Sequence, residues 1–270
     1  MKIDVVDLNG KKYEEVELSN VFQTKVNHNL IRKAYINLES HGFQKHAVHP
    51  TAGQDVVADS NDPPTGRGIS RIARMKGGGG GRQGQAGEVA GTRGGRQAHR
   101  PYVNKVIYKK INKKENKLAL CSAIAASALK ELVTKRGHKI EGIETLPLII
   151  TDEVESVSNT SKMLNVLDNL NLTQDVKRLD NRKRRSGKPV LRGRASKIGK
   201  SVLFVVLNAE RISKSCSGIP GVDACSVKNL SVLDLAPGGT LIRLTVYSKK
   251  AIEYISKIES NHLKLMAIMQ

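Results

Sequence analysis

Apolar and polar residues alternate from Lys2 to Leu8 and again from Tyr13 to Leu18, with Asn9-Gly10 between the two runs. That pattern predicts a β-hairpin closed by a dipeptide well suited to a tight turn. From about Asn29 the period changes, and Leu30, Ile31, Ala34 and Leu38 recur at helical spacing until Gly42. Lys114–Arg136 carries the clearest helical stripe in the chain, through Leu118, Cys121, Ala125, Leu129 and Leu132, with Lys135, Arg136 and Gly137 suited to its C-terminus. Its small residues Ala119, Ser122, Ala123, Ala126 and Ser127 would let other backbones approach closely. Further on, Leu146–Thr151, Ser201–Leu207 and Leu241–Tyr247 are short apolar runs suited to strands buried on both faces. Cys225–Val227 suggests one more short strand, and helix patterns cover Thr160–Leu170, Ala209–Lys214 and Lys249–Ile258. Strand–helix alternation with right-handed crossovers predicts an α/β fold: three layers around a mostly parallel sheet, of Rossmann-like topology but without a nucleotide site.

One stretch fits neither period. Residues 44–102 read as a long insertion, so the expected organisation is a single α/β domain formed by residues 1–43 and 103–270 that carries an extended Gly/Arg-rich loop. Half of the chain's 24 glycines lie in Thr65–Pro101, a segment without a Phe, Tyr or Trp and with only Ile69, Ile72, Met75 and Val89 as large apolar residues. Such a segment cannot bury enough surface to offset its ordering entropy by itself. Structureless loops of this length inside compact domains are uncommon and usually functional.

Charge sharpens the picture. The 270 residues hold 45 Lys and Arg against 25 Asp and Glu, a net charge of +20. Thr65–Pro101 holds eight bases opposed by Glu88, and Lys177–Lys200 holds eleven opposed by Asp180, so these two stretches account for +17 of the total. Charge runs are commonly solvated tails, but both of these are internal and flanked by folded elements. Self-repulsion on that scale destabilises a compact state unless a polyanion neutralises it, which points to nucleic acid. With no aromatic in either run, stacking platforms for single-stranded bases are missing where the charge sits. Readout is expected to be of phosphates and shape, as on a folded RNA.

Other chemistries find little support. Gly79–Gly84 formally fits G-x-G-x-x-G, but it lacks the preceding strand and following helix that hold a pyrophosphate. Gly193–Ser201 has five residues where a phosphate loop has four, and its strand comes after the motif. His46 and His49 lack neighbouring ligands for a metal site, and the three cysteines (Cys121, Cys216, Cys225) form no CxxC pair. Cys121 lies on the apolar helix face and is expected in the core. No local acid–base or nucleophile signature stands out, although a constellation assembled in space stays open. The expectations are no enzyme, no cofactor, no metal, no small-molecule substrate and no homo-oligomer. The longest uncharged apolar run, Leu118–Leu129, has 12 residues against the about 20 a bilayer span requires, so no membrane is expected. Arg93-Gly94-Gly95 occurs once, which argues against a repeat-type RNA-annealing protein.

The loop residues themselves carry a resemblance. Gly66-Arg67-Gly68, Ala73–Lys76 with the following glycine run, Arg82-Gln83-Gly84-Gln85, Arg93–Pro101 and Lys110–Glu115 with Leu118–Ala126 resemble the universal large-subunit ribosomal protein four family in its archaeal/eukaryotic form. Leu191–Arg194, Gly218–Asp223, Leu233–Gly239 and the opening Asp7–Gly10 turn fit the same pattern, and the likeness runs to about Ser260. The stretch Gln44–Asp62 matches more loosely, with acidic Asp55, Asp59 and Asp62. The chain lacks the long C-terminal extension of eukaryotic members, as archaeal ones do. The resemblance implies a cytoplasmic, structural ribosomal protein, bound to large-subunit rRNA beside neighbouring large-subunit proteins. Its loop would aid subunit assembly and line part of the nascent-peptide exit tunnel. By position it implies rRNA contacts from Arg67, Arg71, Arg74, Lys76 and Arg82 near the loop tip, and from Arg93, Arg96, His99 and Arg100 on the returning arm. Arg182, Lys183, Arg184, Arg185, Arg192 and Arg194 would grip rRNA from the globular side. The tunnel-side tip would comprise Ile69, Arg71, Arg74, Met75, Gly77, Gly78, Gly79, Gly80, Gly81 and Arg82.

Overall fold

A computed structural model describes residues 2–55, 58–60, 65–66, 68–77, 81–180, 184–196, 199–240 and 242–258. Its strands are β1 (Lys2–Val6), β2 (Lys12–Glu17), β3 (Ala58–Asp59), β4 (Arg74–Met75), β5 (Leu148–Ile150), β6 (Leu203–Val206), β7 (Asp223–Ser226) and β8 (Thr245–Ser248). The α-helices are α1 (His28–Glu39), α2 (Lys113–Ser127), α3 (Lys130–Lys135), α4 (Thr160–Asn169), α5 (Thr173–Lys177), α6 (Lys188–Leu191), α7 (Glu210–Ser217), α8 (Val232–Leu235) and α9 (Lys249–Ile255). The chain divides into two compact units, residues 1–40 with 110–270 and residues 41–109.

The first unit is α/β. The opening hairpin forms as its alternation predicts, with β1 antiparallel to β2 and Gly10 in the turn at φ +79°. β1 then pairs in parallel with β5, and β5–β8, β8–β6 and β6–β7 continue in parallel, giving the order β2-β1-β5-β8-β6-β7. The Rossmann-like expectation is thereby corrected, because the last strand of the chain is inserted between β5 and β6 instead of extending one edge. Local pattern identifies strands, but their order depends on which neighbours can cover them. β6 and β8 are buried at every position and so require partners on both sides, whereas β2 and β7 stay partly exposed at the edges.

Successive side chains of the central strands enter two separate cores. Ile149, Leu203, Val205 and Tyr247 face one, with α1, α2, α8 and α9 packed over them. Ile150, Phe204, Val206 and Val246 face the other, covered by α4 and α7. Helices therefore cover both faces, and the sheet is the middle of three layers. The start of α1 is tied to α2 by Asn27, whose side chain caps Leu30 N–H while its own N–H donates to Ser122 Oγ at 2.7 Å. Ala119, Ser122, Ala123 and Ala126 are fully buried, as their size suggested.

The expected single helix over Lys114–Arg136 is broken. α2 ends at Ser127, Leu129 adopts an extended conformation at φ −91° and ψ 105°, and α3 restarts at Lys130. Two cores explain the break. α2 fills the first with Cys121 and Ile124, while Val133 of α3 is buried in the second, and no straight helix serves both. Ser127 closes the turn, donating to Ile124 O at 2.7 Å and sharing a 2.9 Å hydrogen bond with the buried Tyr247 hydroxyl. Leu129 consequently lies 47% exposed instead of in the core. Among the described residues no helix is long and apolar enough to cross a membrane.

Candidate nucleic-acid interface

The second unit is built differently. β3 and β4 pair antiparallel (Ala58 opposite Met75, Asp59 opposite Arg74), and residues 84–87 lie along the other side of β4 through Met75 N–H to Gln85 O at 2.8 Å and Gly87 N–H to Ala73 O at 2.9 Å. Gly87 fits because a Cβ there would meet Met75 Sδ at 2.8 Å and Ala58 Cβ at 2.9 Å. Elsewhere the backbone packs on itself: a Cβ on Gly53, which sits at φ +81°, would lie 2.5 Å from Gly95 C, so two glycines let two chain segments touch. Among its described residues Gly87 alone is buried. The described residues of this 69-residue unit thus hold their shape with turns and backbone hydrogen bonds, and among them there is no hydrophobic core.

The residues singled out from sequence fall into two groups here. Arg71, Arg82, Arg93, Arg96 and His99 are exposed, and none of these arginines forms an ion pair among the described residues. Others are engaged within the unit. Arg74 donates from Nη1 to Gly84 O at 2.8 Å, and Arg100 donates to Ala52 O at 3.3 Å and Gln54 Oε1 at 3.4 Å. Lys76 Nζ sits 2.6 Å from Asp59 Oδ2 and holds that carboxyl below its ordinary range. These three brace the turns, and the buried Arg74 Nε has no hydrogen-bond partner among the described residues. At the tip, Ile69, Gly77 and Gly81 are exposed and Met75 is half-buried, while Arg67 and Gly78, Gly79 and Gly80 lie outside the described residues. His49 bonds locally to Thr51 Oγ1 at 3.1 Å.

The other basic stretch stands on the first unit. Residues 184–196 form an excursion in which Arg184 bridges Ser196, Arg185 N–H donates to Ala195 O at 2.8 Å, and the single turn of α6 sits at the far end. No residue from Arg184 to Ser196 is buried, and Leu191 is 85% exposed. Arg184, Arg192 and Arg194 face solvent, Arg185 is half-buried, and Arg182 and Lys183 lie outside the described residues.

Sequence reasoning missed how this arm is rooted. Asp175 on α5, fully buried, accepts from His138 Nδ1 at 2.9 Å, Lys139 N–H at 3.1 Å, Arg178 Nε at 3.0 Å and Ser201 Oγ at 2.5 Å. Burial alone would raise its pKa, but these partners outweigh that and bring it down to about 2. His138 is held below its ordinary value by burial, against the opposing pull of Asp175. Beside it the buried Arg243 donates to Ser201 O, to Val202 O at 2.8 Å and to Gly221 O at 2.6 Å, and pairs with Asp223 at 2.6 Å. Arg178 also reaches Lys200 O at 3.2 Å, so both ends of the arm meet this network. Leu179 wedges against Gly221, where a Cβ would lie 2.2 Å from its Cδ1. A signal existed: Arg243 interrupts the apolar run Leu241–Tyr247, and a charge there demands buried partners.

Ser, His and Asp do come together here, but not as a nucleophile and its base. Ser201 donates to the carboxylate, His138 Nε2 accepts from Leu244 N–H at 3.4 Å, and all three side chains are buried. The thiols are equally inert, with burial pushing Cys216 up to about 12 and Cys225 up to about 11. What the molecule offers chemically is exposed guanidinium groups in residues 41–109 and 184–196, where Gly87 alone is buried among the described residues.

The model of the ribosomal protein L4/L1 family matches residues 16–258. The chain is similar to the large ribosomal subunit protein uL4 of Methanosphaera stadtmanae, 39% identical over 258 residues that cover 95% of this chain and 97% of the relative. It is similar also to the uL4 of Sulfurisphaera tokodaii, 38% identical over 98% of this chain and 97% of that protein. That of Thermoplasma acidophilum is 36% identical over 96% and 98%.

Proposed function

The chain belongs to the ribosomal protein L4/L1 family, and from that premise we propose that it is a structural, non-enzymatic constituent of the large ribosomal subunit that works by threading its coreless basic projections into folded rRNA. It acts in the cytoplasm among neighbouring large-subunit proteins. Residues 41–109 supply the loop that ties rRNA segments together during assembly and lines part of the nascent-peptide exit tunnel. Residues 184–196 grip rRNA from the body, held in place by the Asp175 and Arg243 network. The chain is read as one α/β domain carrying this loop as an insertion.

The observation that supports this reading is the coincidence of concentrated positive charge with the near absence of buried residues in both projections. Neither can be stabilised by its own packing, and both gain most when a polyanion screens their repulsion and supplies contacts. Exposed Arg71, Arg82, Arg93, Arg96, Arg184, Arg192 and Arg194 are the groups that meet phosphates, where a guanidinium makes bidentate hydrogen bonds. Arg74, Lys76 and Arg100 shape the loop that presents them.

Gradient sedimentation after a high-salt wash tests the proposal. The chain should stay with large subunits at salt that strips peripheral binders, because contacts buried within RNA are screened less than surface ones. Release into the top fractions at moderate salt would count against it.

A further inference from the structure

The two ends of the loop, around residues 41–48 and 101–109, lie side by side as a neck, pinned by His41 Nε2 with Lys109 O at 3.0 Å and by Val48 N–H to Pro101 O at 3.3 Å. Six of the thirteen exposed large apolar side chains among the described residues crowd into this short neck: Phe43, Val48, Tyr102, Val103, Val106 and Tyr108. Tyr102 is 58% exposed and Phe43 53%. In a soluble monomer such a concentration marks a contact surface.

The aromatics are not placed at random among the charges. Lys45 Nζ lies 5.0 Å from the centroid of the Tyr108 ring, on which His41 also stacks at 5.8 Å and 23°. Arg100 lies 6.0 Å from the centroid of Tyr102. The sequence holds no Asp or Glu between His41 and Gln54, nor between Val89 and Lys114, while Lys45, Arg100, Lys105 and Lys109 fall within these spans. Exposed rings with adjacent cations are the combination that binds nucleobases: the ring takes the base face and the cation takes the flanking phosphate. A protein partner for an apolar patch flanked by these cations would itself have to be acidic, whereas any unpaired RNA base meets both requirements.

We propose that the neck, through Tyr102 and Tyr108, is a stacking site for unpaired RNA bases, a second mode of recognition beside the phosphate contacts of the loop and arm. It rests on the RNA-binding reading above and amends the expectation that stacking platforms are lacking. They lie just beyond the stretch richest in arginine.

The full-length chain is titrated with a labelled twelve-nucleotide oligo(A) and with a twelve-base-pair RNA duplex. Replacing both rings, Tyr102→Leu with Tyr108→Leu, should weaken oligo(A) binding roughly tenfold or more and leave duplex binding within about twofold. Tyr102→Phe with Tyr108→Phe should retain the wild-type affinity. The slope of log K against log salt should stay unchanged in all three proteins, because no phosphate contact is removed. These positions are exposed, so the variants should share the wild-type thermal transition. The inference is overturned if wild-type protein does not bind oligo(A), if the Leu pair binds it as wild type does, or if oligo(A) and duplex weaken equally. A Leu pair that keeps its oligo(A) affinity yet washes off large subunits would likewise overturn it, in favour of a protein partner. Failure of the wild-type chain to sediment with large subunits counts against the broader reading. Unchanged oligo(A) binding by a Leu pair that still sediments counts against the stacking site alone.

Discussion

The sheet-bearing body and the loop of residues 41–109 are stabilised in opposite ways. In the body, β6 and β8 are buried at every position and helices cover both faces, so its shape follows from its own apolar surface. In the loop, Gly87 alone is buried among the described residues, and what order there is comes from turns, backbone hydrogen bonds and arginines spent on carbonyls. The excursion of residues 184–196 shares the second regime while standing on the first. One chain therefore combines a part organised around two apolar cores with parts in which, among the described residues, Gly87 alone is buried. Residues 41–109 and 184–196 together hold 16 of the 45 Lys and Arg against 4 of the 25 Asp and Glu, so more than half of the net positive charge follows the second kind.

Removing the loop should separate the two regimes most sharply. Deleting Thr65–Pro101 takes away eight basic residues, and each lost phosphate contact should reduce the salt slope by about 0.7 to 0.9. Incorporation into large subunits should fall by orders of magnitude, measured by the fraction sedimenting with them. The thermal transition of the body should survive within a few degrees. Loss of that transition would show that the body depends on the loop after all.

Point substitutions give the next largest contrast. Phe204→Ala in β6 removes a fully buried ring from the second core and should cost about 3–5 kcal/mol by chemical denaturation. Ile69→Ala in the loop, at a side chain 48% exposed, should change the same measurement by less than about 0.5 kcal/mol. Comparable losses at both positions would erase the distinction.

Legibility in the sequence follows the same division. Period and turn chemistry were enough for the hairpin, α1, α4 and the strand cores, because each is specified by residues close in the chain. The strand order and the break at Leu129 were not legible, since both depend on which of two cores a residue serves, and that is decided by remote partners. The loop declared itself by glycine and arginine, yet its internal roles did not. Nothing local distinguishes Arg74 and Arg100, which brace carbonyls, from Arg93 and Arg96, which stay exposed. The neck escaped notice because its aromatics fall just outside the segments marked by charge density. The root of the arm was hidden for another reason: Asp175 and His138 each look like an ordinary polar residue until the fold brings them within 2.9 Å.

That root joins the two regimes, and its chemistry predicts a pH dependence of the body's stability in two steps. Asp175 titrates at about 2 in the folded protein against 3.8 ordinarily, so the folded state binds its proton less readily than the unfolded chain does. Its contribution is therefore complete above about pH 4 and is lost as the pH falls through 2, a loss of about 2 kcal/mol. His138 acts earlier and in the same direction. Its folded pKa lies below 6.5, so from about pH 6.5 downward the unfolded chain takes up a proton that the folded imidazole refuses. Protonation there would aim a second N–H at Leu244 N–H, which now donates to Nε2, with Arg178 and Arg136 adding repulsion. Denaturation midpoints should accordingly fall between pH 7 and 5 and fall again below pH 4. His138→Gln should flatten the first decline, and Asp175→Asn, itself destabilising by about 3–5 kcal/mol because it strands buried partners, should flatten the second. Two declines that persist unchanged in both variants would mean that the arm is not held by this network, and that the body and its projection titrate through other groups.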